Sequence, residues 1–375
     1  MVKRFEYIFI FIVVFVLSLP LIQSYLPVIK EKKLSGYFEI QAKPDLIDSD
    51  YFSGKYQEVY MKYLNDNLPI RSNFIRLFNQ LQYSLFTQTN ASDIVIGKDN
   101  YLFEKPYLKE ISGNTFIGVE ANKNKIYSLK KIQDYLNLSG KKLIVIFAAG
   151  KASYYYDKIP SEYATNDTTN YEYLTKYISE ENVNFIDFRK WVISMKDTTT
   201  HNLMGKAGIH WTNYTGHLVA DSINRYIENL TGKEMSKKKY ISIEHSTVPR
   251  GDDNDIERAI NLIYPIDKIN YQYPVVEYIK DSNAYYPNVS VVADSYWWTI
   301  NNLYSPNIQY NKYYFMYYFK NVYDKEKELT SNLNDEEFKT YIDNSDIVIL
   351  MATEANYSWF PYGFIEKFNK VYNLK

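Results

Sequence analysis

The sequence predicts an α/β protein, with a mostly parallel sheet that carries helices on both faces, preceded by one N-terminal transmembrane helix. Three observations support this prediction. A long apolar segment lies near the N-terminus, short apolar runs typical of buried parallel strands recur later, and amphipathic helical patterns separate those runs.

The N-terminal segment from Tyr7 to Ile22 is apolar except for one serine and one proline. Apolar character continues to residue 28, which is enough to span a bilayer, since about 20 residues are needed. Lys3 and Arg4 precede the segment, so the N-terminus should remain cytoplasmic and the rest should be exported. A cleaved signal peptide is the alternative. The residues after Pro20 lack the small side chains of a cleavage site, so we favour an uncleaved anchor.

This organisation predicts three parts: a cytoplasmic tip and anchor in residues 1–26, a linker in 27–55, and one extracytoplasmic domain in 56–375. No second segment of the sequence is long and apolar enough to span a membrane, which predicts a single-pass protein. We therefore expect it in the inner membrane of a bacterial cell, with the domain facing the periplasm or the cell exterior.

The composition excludes several classes of function. The net charge of -1 gives no electrostatic reason to bind nucleic acid. Cysteine is absent, so disulfides, thiolate metal sites and a cysteine nucleophile are excluded, and a bacterial source is favoured. The 40 tyrosines are typical of an AT-rich genome, although some rings could also stack on sugars.

The elements follow a recognisable order along the chain. Helical periodicity runs over 56–86 with a break at 67–69, and two short apolar runs in 93–103 flank a turn sequence, which indicates a hairpin. Further helices are expected near 121–138, near 170–180 and from Asn213 to Gly232. The expected buried strands are Leu143–Phe147, Val183–Phe188, Val289–Ala293 and Ile347–Met351.

Candidate catalytic residues lie where these strands end. In open α/β sheets, ligands bind outside the carboxyl ends of the strands. Ser295 directly follows one such strand, and a serine at a strand-to-helix corner lies next to free backbone N–H groups that can hold an oxyanion. A serine nucleophile needs a base, usually a neutral imidazole. Of the four histidines, His210 stands just before the helix at Asn213, whereas His217 falls inside it, where a packed or surface role is expected.

The order of the motifs resembles the alginate O-acetyltransferase family, the AlgJ/AlgX-like proteins with an SGNH-hydrolase-like domain. That family combines an N-terminal anchor or signal with five motifs that are similar to segments found here in the same order. These segments are Leu68-Pro69-Ile70-Arg71, Val95–Phe103, Ala149-Gly150-Lys151 with Tyr155 and Pro160, Gly208-Ile209-His210-Trp211-Thr212, and Ala293-Asp294-Ser295-Tyr296. They span roughly residues 60–360.

The resemblance implies that Ser295 is the nucleophile and His210 its base. The family's third member, an aspartate two residues before the histidine, falls on Gly208. Three outcomes stay open: a Ser–His dyad, an aspartate supplied from elsewhere, or lost catalysis. The richest nearby source of carboxylates is the segment that contains Asp252, Asp253 and Asp255, for which a solvated turn and helix cap is the alternative reading.

Other strand ends supply candidates for the pocket or the oxyanion site, namely Asp294, Lys151, Glu354 and Tyr296. For the lysine and the glutamate, the alternative is an ordinary solvated side chain. One of the rings that follow Ser295 could stack on a sugar.

The resemblance implies an O-acetyltransferase that works on an extracytoplasmic polysaccharide through a serine acyl-enzyme. The implied partners are the polysaccharide acceptor and a polytopic membrane acyltransferase that supplies the acetyl group, and neither a metal nor a soluble cofactor is needed. Two alternatives remain: an inactive polysaccharide-binding or scaffold subunit of an export complex, and an acetyl-esterase. The esterase would share every residue with the transferase.

Overall fold

The computed structural model describes residues 2–36, 39–46, 48–165, 167–279, 281–303, 306–324 and 327–374. The expected linker therefore falls partly outside the described residues, at positions 37, 38 and 47. The chain divides into two compact units, Met1–Ser92 with Glu257–Pro265, and Asp93–Ile256 with Ile266–Lys375. The division that the sequence predicts, with an anchor, a linker and one domain from residue 56, stays a prediction.

The first unit is helical. Its helices are α1 (Val2–Tyr25), α2 (Asp48–Phe52), α3 (Lys55–Asp66) and α4 (Arg71–Phe86). The predicted helical stretch and its break are thus confirmed. The residues up to Phe86 group with this unit because α4 packs on the 257–265 segment. There, Arg76 donates to the carbonyls of Leu262 and Lys33 at 3.2 and 2.8 Å, and Asn79 donates to that of Ile260 at 2.9 Å.

Within α1, the stretch Arg4–Tyr25 has a mean hydropathy of 2.6 and is long and apolar enough to cross a membrane. It is the one such helix in the described part of the chain. An anchor and a signal sequence both have this character.

The second unit contains all the strands among the described residues. They are β1 (Ile94–Ile96), β2 (Leu102–Glu104), β3 (Lys142–Phe147), β4 (Phe185–Asp187), β5 (Lys238–Ser246), β6 (Tyr271–Tyr278), β7 (Val289–Ala293), β8 (Tyr313–Tyr317), β9 (Asn321–Asp324), β10 (Lys327–Thr330) and β11 (Ile347–Ala352). The predicted hairpin is the antiparallel pair β1–β2. The expected strand at 183–188 is shorter than predicted.

The remaining helices lie between these strands in the chain, except the last, which follows β11. They are α5 (Lys105–Ile111), α6 (Val119–Leu138), α7 (Lys151–Tyr154), α8 (Asn170–Glu180), α9 (Phe188–Ser194), α10 (Asn213–Thr231), α11 (Asp255–Ala259), α12 (Tyr296–Leu303), α13 (Pro306–Gln309), α14 (Asp335–Asp343) and α15 (Phe364–Tyr372). As predicted, α10 ends at Gly232, whose φ of 68° is readily adopted by glycine.

The central sheet has the strand order β10-β9-β8-β7-β11-β3-β4. The five strands from β8 to β4 are mutually parallel, and β9 and β10 add an antiparallel edge. Alternate residues of a strand point to opposite faces. In β3, Val145 and Phe147 join a core formed with α6, α8, α14 and α15, while Ile144 and Ile146 are buried on the other side. The predicted fold class, a mostly parallel sheet covered on both faces, is confirmed.

Candidate active site

Ser295 lies at the carboxyl end of the central strand β7. The strand ends at Ala293, helix α12 begins at Tyr296, and the two residues between them form the corner. The serine Oγ lies 3.0 Å from Nε2 of His210, although 85 positions separate the two residues in the chain. The structure therefore brings the predicted alcohol and imidazole within hydrogen-bond reach.

The loop that ends in α10 holds His210 in place. Thr212 caps the helix, since its hydroxyl accepts a hydrogen bond from the backbone N–H of Thr215. Trp211 is buried, and the Tyr296 hydroxyl donates to the carbonyl of Ile209. The Tyr296 ring also packs on the imidazole, with the ring centroids 4.8 Å apart. Tyr296 thus supports the histidine from behind and does not line the pocket.

Asp255 stands on the far side of the imidazole from the serine. Its Oδ2 lies 2.8 Å from His210 Nδ1, and its Oδ1 accepts hydrogen bonds from the backbone N–H groups of Ile209 and Ile256, each at 2.8 Å. Of the alternatives that Gly208 leaves open, the geometry corresponds to an aspartate supplied from elsewhere. This carboxylate comes from the long connection between β5 and β6.

The electrostatics of the pair favour an imidazole that can take up a proton. Burial opposes a positive charge on His210, but the hydrogen bond and charge of Asp255, with smaller contributions from Asp252 and Asp294, outweigh it and raise the pKa. For Asp255, burial acts to raise the pKa, but the contacts with His210 and with two backbone N–H groups leave it lowered. At neutral pH, Asp255 is therefore ionised.

Gly208 is needed for the approach of this acidic segment. A Cβ atom at position 208 would lie 2.7 Å from the carbonyl oxygens of both Asp252 and Asp253, which are backbone atoms that cannot rotate away. The place that a side chain at 208 would occupy is taken by the turn that carries Asp255. The missing family aspartate and the relocated carboxylate are thus two consequences of one close approach.

The turn at 250–253 is held in place by strand β6. The Tyr273 hydroxyl of β6 donates to Asp253 Oδ2 at 2.6 Å and accepts from the backbone N–H of Arg250 at 2.7 Å. The Arg250 guanidinium also lies over the Tyr273 ring, 4.3 Å from its centroid. Asp253 therefore holds the turn in shape, and Asp255 contacts the histidine.

Lys151 lies behind the site and not at its surface. The side chain is fully buried, and its Nζ donates to the carbonyls of Lys206 and Gly208 at 2.6 and 2.8 Å. Burial lowers the pKa of Lys151 to about 7, against smaller opposing effects of Asp255 and Glu104. The expected pocket residue instead fixes the loop that leads to His210.

Asp294 and Glu354 are likewise internal. Asp294 Oδ2 accepts hydrogen bonds from the backbone N–H and hydroxyl of Thr353 and from Asn356 Nδ2, at 2.7, 2.8 and 2.8 Å. It therefore ties the serine corner to the end of β11, and a carboxylate used in this way cannot stabilise an oxyanion. Glu354 is 1% exposed and pairs with Arg189 at 2.7 Å, so it does not line the pocket.

Sequence reasoning missed Tyr318, which follows β8. Burial raises the pKa of its hydroxyl, against the smaller effect of hydrogen bonds that this hydroxyl shares with the side chains of Asn356 and Ser295. The tyrosine therefore lies beside the proposed nucleophile and stays protonated. Nothing in the local sequence distinguishes it, since it is one of six aromatic residues among the seven at 313–319. In the described part of the chain, no cluster of His, Asp and Glu is suited to hold a metal ion.

A serine at the end of a central parallel strand, next to an imidazole whose other nitrogen lies next to a carboxylate, is the arrangement of serine-dependent acyl-transfer proteins. Residues 94–278, just under half of the chain, match the family described as "SGNH hydrolase-like domain, acetyltransferase AlgX". This segment, which includes His210 and Asp255, belongs to that family, and the resemblance predicted from the motifs is confirmed. Ser295 lies beyond the matched residues.

Three solved structures are similar to the chain. The O-acetyltransferase domain of Pseudomonas putida AlgJ is 13% identical, with a TM-score of 0.48 over 75% of this chain and 99% of that one. Pseudomonas aeruginosa AlgX is 13% identical, with a TM-score of 0.43 over 73% and 67%. Bacillus cereus PatB1 with a sulfonyl adduct is 11% identical, with a TM-score of 0.45 over 72% and 99%. Likenesses at this level support no inference about activity. No curated protein matches the sequence.

Proposed function

We propose that the protein is an extracytoplasmic O-acetyltransferase that moves an acetyl group onto a polysaccharide through a serine acyl-enzyme. The observation that carries the proposal is the close approach of three groups: Ser295 Oγ lies 3.0 Å from one imidazole nitrogen of His210, and Asp255 lies 2.8 Å from the other. The membership of residues 94–278 in an acetyltransferase-type family supports the choice of acyl group.

In the first half-reaction, Ser295 Oγ attacks the carbonyl carbon of an acetyl donor while His210 Nε2 takes the hydroxyl proton. Asp255 holds the imidazole in the tautomer with the proton on Nδ1 and stabilises the imidazolium that forms. Backbone N–H groups at the serine corner are the proposed oxyanion donors. The protonated hydroxyl of Tyr318 is a further donor within reach of Ser295. The leaving group departs with the proton that His210 carries.

In the second half-reaction, a sugar hydroxyl replaces the donor. His210 takes its proton, the sugar oxygen attacks the acetyl carbonyl, and Ser295 departs and is protonated again. Acetyl-CoA is a cytoplasmic compound, so we propose that a polytopic membrane acyltransferase passes the acetyl group outward. The helix Arg4–Tyr25 is proposed to anchor the chain in the inner membrane of a bacterial cell as a single pass, with the catalytic unit outside the cytoplasm.

The relocated carboxylate bears on the alternative of an inactive scaffold. That alternative rested on the glycine at position 208, where the family has an aspartate. Since the carboxylate of Asp255 contacts the imidazole, the glycine alone is no longer a reason to expect an inactive protein. The acetyl-esterase alternative shares all three catalytic residues and differs only in the acceptor. Mass analysis of a glycan acceptor after incubation with an acetyl donor distinguishes the two, since only a transferase adds the acetyl mass to the glycan.

The test of the covalent step uses the full chain in detergent micelles and 4-nitrophenyl acetate. We expect a burst of nitrophenol followed by slow turnover, loss of both in Ser295→Ala, and labelling of Ser295 by a fluorophosphonate probe. Equal rates for wild type and Ser295→Ala would exclude the acyl-enzyme. A wild-type chain that neither turns over nor takes the label would favour the scaffold.

A further inference from the structure

The turn between β8 and β9 has an unusual sequence for its shape. Tyr318 and Phe319 have φ values of 47° and 57°, and the backbone N–H of Lys320 donates to the carbonyl of Tyr317 at 3.0 Å. Hairpin turns with two left-handed central residues strongly favour Asn-Gly, because bulky side chains are strained there. The turn by itself therefore does not account for two aromatic residues, and strain of this kind is concentrated at functional sites.

Tyr318 connects this turn to the serine corner. Its backbone N–H donates to the carbonyl of Ala293 at 2.9 Å, two residues before the serine. Its hydroxyl shares hydrogen bonds with the side chains of Ser295 and Asn356. The strained conformation therefore places a half-buried aromatic ring directly beside the proposed nucleophile.

Trp359 extends this ring outward. The Trp359 and Tyr318 rings are stacked, with centroids 5.7 Å apart and an interplanar angle of 15°. The edge of Tyr362 supports Trp359 at 5.1 Å, and the Tyr362 hydroxyl bonds to Asp294 at 3.3 Å. We call Tyr318 and Trp359 the aromatic ledge.

The ledge is rigid on its inner side and open on its outer side. Trp359 is 48% exposed, whereas the other four tryptophans, all in described residues, are buried or half-buried. The Nζ of Lys320, on an exposed and flexible side chain, lies 5.9 Å from the Trp359 ring, near the outer limit of a cation–π contact. A ligand that covers the Trp359 ring can displace the Lys320 side chain with little loss of binding free energy. A fixed, exposed indole next to a nucleophile is a built surface for a flat, largely apolar face.

We propose that the aromatic ledge is the acceptor subsite and binds a pyranose ring through its C–H face. This inference rests on the proposed function and names the part of the glycan that the site holds. A sugar stacked on the face of Trp359 that Tyr318 leaves open presents its edge hydroxyls towards Ser295. One hydroxyl gives its proton to His210, its oxygen forms the new ester bond to the acetyl carbon, and the bond from Ser295 to that carbon breaks. A sugar held in this way competes with water for the acyl-enzyme.

The binding test uses the full chain carrying Ser295→Ala in detergent micelles, titrated with cellopentaose, N-acetylchitopentaose and a mannuronate pentamer. Calorimetry follows binding. We expect at least one pentasaccharide to bind, Trp359→Ala and Trp359→Leu to weaken its binding about tenfold or more, and Trp359→Phe to retain most of it. Leucine keeps apolar bulk against Tyr318 but lacks a flat face, so the contrast with phenylalanine isolates the stacking.

The matched control is Tyr156→Ala, which removes an aromatic ring that is 41% exposed and bonded to the carbonyl of Thr165. It should bind as the parent does. The Trp359 variants should keep the circular dichroism spectrum and the cooperative thermal unfolding of the parent, which shows that they are folded.

Saccharide binding by the Trp359 variants tests the aromatic ledge, and Ser295-dependent acetyl release tests the acyl-enzyme, so the two proposals can fail separately. If none of the three pentasaccharides binds, or if the leucine variant binds as the phenylalanine variant does, the ledge is not the acceptor subsite. If saccharide binding depends on Trp359 while no Ser295-dependent acetyl release occurs, the ledge stands and the proposed chemistry fails.

Discussion

Replacement of Asp255 by asparagine most directly tests whether this carboxylate is the third catalytic residue, with Ser295 and His210. Oδ1 of Asp255 accepts from two backbone N–H groups, so the asparagine carbonyl oxygen should keep that position and its Nδ2 should face His210 Nδ1. An amide N–H there forces Nδ1 to act as acceptor and puts the ring proton on Nε2. The imidazole can then no longer take the proton of Ser295.

The expected loss follows from this tautomer. In a serine protease, the same change lowers turnover about ten-thousandfold, which corresponds to about 5 kcal/mol of lost transition-state stabilisation. We expect a loss of about a thousandfold to ten-thousandfold in the burst rate with 4-nitrophenyl acetate. The fold should survive, because the two backbone contacts of Oδ1 are retained.

The pH profile gives a second readout of the same change. His210 must be neutral to act as base, so wild-type activity should fall as the pH drops below its raised pKa. Asparagine removes the charge that raises this pKa, and burial then favours the neutral ring. The acid limb of the residual activity should therefore move to lower pH.

The matched control is Asp253→Asn, two residues away, whose side chain bonds to Tyr273 and not to the imidazole nitrogen that Asp255 contacts. It should keep turnover within about threefold of wild type, as expected for a neutral hydrogen-bonding substitute. If Asp255→Asn kept turnover within about tenfold of wild type, or if the acid limb of its pH profile matched that of Asp253→Asn, the proposal that Asp255 acts on His210 would be wrong.

Three further predictions concern the surroundings of the site. Gly208→Asp should lower the free energy of unfolding by about 1–3 kcal/mol, since its Cβ meets the backbone of the 252–253 turn. Added to an Asp255→Ala chain, it should not restore turnover, and a rescue of turnover would contradict this. Lys151→Met should lower both stability and turnover, because the carbonyls that the lysine bonds lose their donor. The pKa of Lys151 is about 7 in the folded chain and higher in the unfolded chain, so the free energy of unfolding should rise between about pH 7 and 10. Urea unfolding at pH 7 and at pH 10 should show a smaller rise in Lys151→Met than in wild type. An equal rise in the two proteins would refute this prediction. The full chain should stay with bacterial membranes after alkaline carbonate extraction and keep its N-terminal mass; release or a shorter mass would show a cleaved signal instead.

The sequence alone determined the elements whose pattern is local. The period of apolar residues gave α6 and α10, and continuous apolar runs gave β3, β7 and β11, because each is buried along a face that its own residues define. The same period gave α4, although the apolar residues that define its face are exposed. It did not reveal β5, β6 or β8 to β10. These strands are rich in tyrosine, lysine and glutamate, and much of their stability comes from pairing with distant neighbours.

For the site, the motif order was enough to name Ser295 and His210 as candidates, and only the tertiary structure set them 3.0 Å apart. The structure also decided between three neighbouring aspartates, because the choice depends on which carboxylate the turn directs at the imidazole. Lys151, Asp294 and Glu354 are polar residues at strand ends, where sequence suggests a pocket, but each is buried against its own partners. Tyr318 is the converse case, since its place beside the serine depends on a left-handed backbone and on the register of β8 against β7. Contacts between residues far apart in the chain leave no local pattern, which is why the fold was readable from the sequence and the roles within the site were not.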